Sequence, residues 1–244
     1  MFFALILLAL AAGVIWFAVQ AARDYKLLMN TTPEQRALQQ REAFFQGLIT
    51  NDRLNPADTL SLIDPSAPTW GPSTAPITLV EFLDYDCPFC RESAPIVRQM
   101  LEKYPTRVRL IVRDFPVEEL HPHAVTSAVA AHCAQDEGKY WSYHDQLYAH
   151  QDDSGDLRTE DDYLRYAVNA GLDATVFRSC FEARESEAKI QRDLALGVHL
   201  GVEGTPTFFL NGVRIPGVIP ADTFNWLIPQ FLQSASSTST TVSP

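Results

Sequence analysis

The chain has 244 residues, 46 % of them apolar, enough for one well-buried domain and an appendage. Its formal charge of −11, with no basic cluster to offset it, argues against nucleic acid, whose phosphates it would repel. Four cysteines (Cys87, Cys90, Cys133 and Cys180) are too sparse for a disulfide-stapled miniprotein, but their number is even and two of them are close together.

Residues 2–22 contain no charged side chain, and Gln20 is the only polar one. About twenty such residues span a bilayer core as a helix. A cleaved signal peptide has a shorter apolar region, about 7–15 residues, and a positive start that is missing here. The segment therefore reads as a transmembrane anchor. A removed signal segment, with Val19-Gln20-Ala21 as a weak cleavage site, is the alternative. Either way the rest of the chain is expected outside the cytosol, in the periplasm or at the cell exterior, secreted if the segment is cleaved. Arg23 and Lys26 oppose that orientation by the positive-inside tendency. A redox pair further on would be futile in a reducing compartment, which favours export.

Residues 23–64 read as a helical stalk and linker. Thr31-Thr32-Pro33-Glu34 is a helix start, with threonine as cap and proline at the first helical position. Leu38, Phe44, Phe45, Leu48 and Ile49 form a partial apolar stripe over 30–50. That helix either packs on its own domain or serves as an oligomerisation surface; no sustained heptads support a coiled coil. Residues 51–76, rich in Asn, Asp, Ser, Thr and Pro, read as a linker leading to a domain boundary near 65.

The apolar run Ile77 to Leu83 predicts a strand, and Val97, Met100, Leu101 and Tyr104 recur at helical spacing after it. A second strand over 108–112 completes a β-α-β unit, which favours parallel strands and a right-handed crossover. Cys87-Pro88-Phe89-Cys90 lies where that first strand passes into the helix. Thiols three positions apart at a helix start share one face and can close a small disulfide ring. Unpaired N–H groups at the helix terminus favour the thiolate of the first cysteine, an arrangement suited to thiol–disulfide exchange. Pro95 falls inside the helix and predicts a kink.

From 121 to 201 the pattern is helical, punctuated by Gly138, Gly155 and Gly171. Thr207-Phe208-Phe209-Leu210, the Asn211-Gly212 turn and Val213-Arg214-Ile215 predict a hairpin. A last helix starts at Ala221 and carries Phe224, Leu227, Ile228, Phe231 and Leu232, with Pro229 against it. The Ser/Thr-rich residues 234–244 read as a disordered tail.

Three separated pieces coincide: Glu81-Phe82-Leu83-Asp84-Tyr85-Asp86-Cys87-Pro88-Phe89-Cys90, a helical stretch after the second strand, and Gly204-Thr205-Pro206-Thr207 entering a hairpin. Over residues 70–233 the chain resembles the DsbA-like thiol–disulfide oxidoreductases. The resemblance implies an α/β thioredoxin fold, a central mixed sheet flanked by helices, in two parts (65–120 and 202–233). An all-helical insertion over 121–201 interrupts it, and an N-terminal transmembrane helix precedes it. It further implies that Cys87 is the exposed attacking and accepting sulfur and Cys90 the buried partner that resolves the mixed disulfide. Pro206 is then a cis-proline opposite them. The Thr205 backbone, with Pro88 and Phe89, would meet an extended substrate chain as an added strand. Glu81 matches the family's buried acid that serves proton transfer to the second thiol, and Pro95 its helix-kinking proline.

Since some relatives pair cysteines in similar contexts, a structural disulfide Cys133–Cys180 is expected. Two separate buried thiols are the alternative, and a four-cysteine zinc site is disfavoured because the second pair lacks knuckle spacing. No metal or other cofactor is implied beyond the redox-active pair itself. The expected partners are unfolded or reduced exported proteins and a membrane reoxidase or electron donor. Rival readings keep the site but make it an isomerase or reductase, or make the chain a tethered chaperone or peptide-binding module. One departure from the family is the Pro-Phe dipeptide, which has no histidine to stabilise the thiolate. In addition, Asp84 and Asp86 oppose the helix terminus, while Arg91 supports it.

Other features read as ordinary structure. His121 and His123 are expected in a helix-entry loop, and His132, His144, His150 and His199 show no spacing that joins them to a carboxylate. The acidic run 152–156 lacks the ligand series of a calcium loop. Tyr140, Trp141 and Tyr143 are expected in the core.

Overall fold

The computed structural model describes residues 13–23, 25, 32–151 and 158–238. The chain divides into two units, Met1–Asn51 and Asp52–Pro244. In the first, α1 is helical at residues 13–23 and α2 spans Pro33–Asn51. The membrane segment expected over 2–22 lies partly outside the described residues; among those described, no helix is long and apolar enough to cross a membrane. A reciprocal cap starts α2: Gln35 N–H donates to Thr32 Oγ1 at 3.1 Å, and Thr32 N–H to Gln35 Oε1 at 2.9 Å.

The second unit is organised on a five-stranded sheet in the order β1-β3-β2-β4-β5. Its strands are β1 (Thr69–Trp70), β2 (Ile77–Leu83), β3 (Val108–Asp114), β4 (Thr207–Leu210) and β5 (Val213–Pro216). As expected, β2 and β3 are parallel and linked by helix α4 (Pro88–Lys103); β4 returns antiparallel to β2, and β5 antiparallel to β4. A central strand covered on both faces has no polar side, and accordingly every residue of β2 except Thr78 is buried. Asn211 and Gly212, at φ 48° and 82°, make the tight turn between β4 and β5. The Asn211 side chain also accepts from Thr78 N–H at 2.8 Å, docking the hairpin on β2.

The stretch 51–76 is not a linker. Leu54 N–H donates to Gly212 O at 2.8 Å, Asn55 caps the short helix α3 (Pro56–Ser61), and β1 pairs antiparallel with β3. Leu62 is buried in the core cluster with Val80, Phe82, Ile111 and Phe209. A six-residue helix and a two-residue strand are too short to show periodicity, and they form because distant partners hold them.

Between β3 and β4 lie five helices: α5 (Ala124–Asp136), α6 (Tyr140–Ala149), α7 (Glu160–Asn169), α8 (Ala174–Ala183) and α9 (Glu187–His199). Alanine-rich α5 is buried almost throughout and forms the axis of the insertion. Cys133 on α5 is joined to Cys180 on α8 by a disulfide, with Cα atoms 5.7 Å apart. Gly197 lets α9 rest directly on the sheet, since a Cβ there would meet Phe115 at 2.5 Å. The last helix, α10 (Ala221–Thr238), runs through Pro229 and buries Phe224, Leu227, Ile228 and Phe231. It extends past the expected tail boundary at 234, because propagation adds one backbone hydrogen bond per residue and no breaker intervenes.

Candidate active site

Strand β2 delivers the chain to Asp84, whose carbonyl accepts from Cys87 N–H at 3.2 Å and turns it into α4. Cys87 is the residue capping that helix, at φ −76° and ψ 122°, with Pro88 in the first turn and no side-chain cap bond. The thiol thus occupies the place a capping oxygen takes in other helices, in front of the unpaired N–H groups. Pro95 lies within α4, which continues past it to Lys103.

Across the sulfur lies the loop before β4. The Thr205–Pro206 bond is cis, and Cys87 Sγ donates to Thr205 O at 3.3 Å. That loop corrects one expectation: Cys87 is only 4 % exposed, because Thr205 lies against its sulfur. Cys90, the second thiol, is fully covered, while Pro88 and Phe89 are exposed, Phe89 at 60 %. Both cysteines are free thiols in this structure.

The two sulfurs differ sharply in acidity. The Cys90 thiol, donating to Cys87, lowers the Cys87 pKa to about 6, against the opposing effect of burial; the N–H groups of Cys90 and Phe89 add to the lowering. Burial, and then the neighbouring Cys87, push the Cys90 pKa well above the usual thiol range. Glu81, buried in β2, is held protonated up to a pKa of about 8 by desolvation, and its charge opposes ionisation of Cys90.

The two acids ahead of Cys87 are not free charges. Asp84 Oδ2 accepts from Val117 N–H at 2.9 Å and meets His121 Nδ1 at 2.8 Å, while burial raises its pKa. Asp86 Oδ1 is held by Arg158 at 2.6 Å and Ser127 Oγ at 3.2 Å. Both are thus held by hydrogen bonds, Asp84 from Val117 and His121 and Asp86 from Arg158 and Ser127 of the insertion. The histidines are satisfied core or surface groups: His132 Nε2 meets Asp114 at 2.6 Å, His144 Nδ1 meets Asp145 at 3.0 Å, and exposed His199 has its Nε2 3.4 Å from Asp58. Apart from the adjacent pair His144–Asp145, these contacts join residues far apart in sequence, where spacing carries no signal.

Tyr140 and Tyr143 are core residues; Tyr140 hydrogen-bonds the Tyr85 hydroxyl, and Trp141 is half-buried against Trp70. The acidic run 152–156 lies outside the described residues. No group of three or more His, Cys, Asp or Glu is arranged to hold a metal among the described residues. Gln151, Ser127 and Arg158 reach the site from the insertion without having been anticipated. Arg158 alone left a trace, as the one basic residue among the acids of 152–162.

Residues 64–230 match the thioredoxin family. The chain is 42 % identical over 147 residues to the Na(+)/H(+) antiporter NhaA 3 of Salinispora tropica; the match covers 60 % of this chain and 22 % of that protein. The chain thus spans less than a third of the length of the curated relatives it matches. Among solved structures, a thioredoxin-like oxidoreductase from Silicibacter pomeroyi is 30 % identical, with a TM-score of 0.59, covering 78 % of this chain and 100 % of that one. Wolbachia pipientis alpha-DsbA1, 22 % identical, has the same fold, with a TM-score of 0.67 and coverage of 75 % and 98 %.

Proposed function

The chain belongs to the thioredoxin family, and from that premise we propose that it is a DsbA-type thiol–disulfide oxidoreductase that introduces disulfides into exported proteins. One observation carries the reading: an acidic Cys87 thiol at a helix start beside a buried, weakly acidic Cys90. A thiolate favoured near neutral pH stabilises the reduced pair, which makes the oxidised pair a good acceptor of electrons.

In the oxidised protein a substrate thiolate attacks Cys87 Sγ. The Cys87–Cys90 bond breaks, a mixed disulfide forms at Cys87, and Cys90 leaves as a thiolate that takes a proton. Glu81, protonated at neutral pH, is the buried acid on hand to supply it. The substrate's second thiolate then attacks its own sulfur in the mixed disulfide and releases the Cys87 thiolate. The client has lost two electrons, and a membrane reoxidase must remove them from the reduced pair. Exposed Pro88 and Phe89, with the Thr205 backbone, form the surface an extended client meets. An extracytoplasmic setting is supported by the Cys133–Cys180 disulfide and by the uncharged stretch 2–22, which we read as a membrane anchor.

Oxidative refolding of reduced ribonuclease tests the proposal, with glutathione disulfide as the terminal oxidant and its uncatalysed rate subtracted. Turnover is expected with wild type and none with Cys87→Ser; full activity in that variant would point to a chaperone or binding module instead. An isomerase reading draws on one observation, the exposure of Phe44 (59 %) and Leu38 (41 %) on α2. A monomeric mass in solution would remove that support.

A further inference from the structure

We propose that Gln151 is a positioning residue for Cys87, clamping from the helical insertion the turn that carries the attacking sulfur. Its side-chain amide has two hydrogens, and both are used on one short segment. Nε2 donates to Tyr85 O at 2.8 Å and to Cys87 O at 3.0 Å, the carbonyls on either side of Asp86. Asp86 itself is gripped by Arg158 Nη1 at 2.6 Å, and Arg158 returns to the Gln151 backbone, donating from Nη2 to its carbonyl at 3.3 Å. Ser127 Oγ on α5 closes the ring, accepting from Arg158 at 2.9 Å and donating to Asp86. Gln151 is 8 % exposed and Arg158 7 %, so these bonds form with little competition from water.

The clamp acts on the chemistry through the Cys87 carbonyl. That oxygen also accepts from Cys90 N–H at 3.1 Å and Arg91 N–H at 3.2 Å, the first hydrogen bonds of α4. Fixing it fixes the backbone rotation at Cys87, and with it the position of Sγ relative to the N–H groups that stabilise its thiolate. Residues more than sixty positions downstream thereby set the acidity of the attacking sulfur. The ionisable groups on the elements around that sulfur are Cys90, Arg91 and Glu92 on α4, Glu81 on β2, Asp84 with His121, and Asp86 with Arg158. All of them remain in a Gln151→Met variant, which keeps the side chain's length and removes its donors.

The inference rests on Cys87 being the thiol that exchanges with the client, so wild type is the control that separates the two claims. The pH dependence of iodoacetamide alkylation, and equilibrium with glutathione, are measured on the full chain for wild type, Gln151→Met and Arg158→Lys. In Gln151→Met the alkylation midpoint should move up by about one pH unit, lowering the rate near pH 6 by about fivefold, and the redox equilibrium should become less oxidising. Arg158→Lys, which keeps the charge but loses the forked grip, should move both readouts the same way by less. If Gln151→Met does not fold, Arg158→Lys decides. Folded variants with wild-type midpoints, whatever their melting temperatures, would overturn the clamp; a wild-type thiol of ordinary acidity would instead overturn the proposed function.

Discussion

Replacing Glu81 with glutamine isolates the effect of burying an acid behind the reactive pair. Glu81 is 4 % exposed, and desolvation raises its pKa from 4.5 to about 8. A folded-state pKa above the unfolded one means that the folded chain holds this proton more tightly. The resulting stability is fully present below about pH 4.5 and is lost as pH rises through about 8. At about 1.4 kcal/mol per pH unit, the wild-type chain forfeits about 3 kcal/mol between pH 4.5 and 7, levelling off at about 5 kcal/mol above pH 8. Glutamine has no such proton, so the advantage of Glu81→Gln over wild type should grow with pH by that amount. Whatever hydrogen bonds the amide gains or lacks will shift the whole difference but not its slope. Urea unfolding in excess reductant at about pH 5, 7 and 8.5 measures it. A difference constant to within about 1 kcal/mol across that range would refute the assignment of a buried, protonated acid.

The remaining predictions concern the sulfurs and the insertion. Cys90→Ser, which keeps the Cys87 thiol but cannot resolve, should accumulate a mixed disulfide with a disulfide-bearing client, one client sulfur leaving as a thiol. Mass spectrometry would show the adduct, and its absence would count against Cys87 as the exchanging sulfur. Replacing Cys133 and Cys180 with alanine should lower stability by about 4 kcal/mol, from loop entropy at a sequence separation of 47, while the alkylation midpoint of Cys87 stays put. Unchanged urea midpoints would contradict the loop argument. His132→Asn breaks the buried contact with Asp114 and should cost about 3 kcal/mol near pH 5 to 6. Asp114 lowers its partner's resistance to protonation enough to raise the His132 pKa above 6.5 despite the opposing effect of burial, so this stability is present below 6.5 and is lost as pH rises through the raised value. The difference between the denaturation profiles should therefore narrow as pH rises through that value; parallel profiles would contradict the ion pair.

Much of the sheet was legible because each piece has its own local signature. The apolar run of β2, the Asn211-Gly212 turn and the Thr32-Pro33 helix start express their structure over a handful of residues. The Cys-x-x-Cys spacing and Gly-Thr-Pro-Thr likewise carried the resemblance before any coordinates. Illegible were β1 and α3, whose few residues hold their shape only against β3 and the β4–β5 hairpin. The pairings Asp84–His121, Asp86–Arg158 and Asp114–His132 were equally hidden, since each unites residues at least 18 positions apart.

From its residues alone, this chain determines that a cysteine pair opens a helix at the end of a buried strand, because local backbone geometry and apolar patterning are short-range. Tertiary structure alone decided that Cys87 is buried, that Asp84 and Asp86 find partners in His121 and Arg158, and that Gln151 reaches the turn before the helix. Those contacts depend on where distant segments come to rest, and the position of a side chain's partner in space is not written in its distance along the chain.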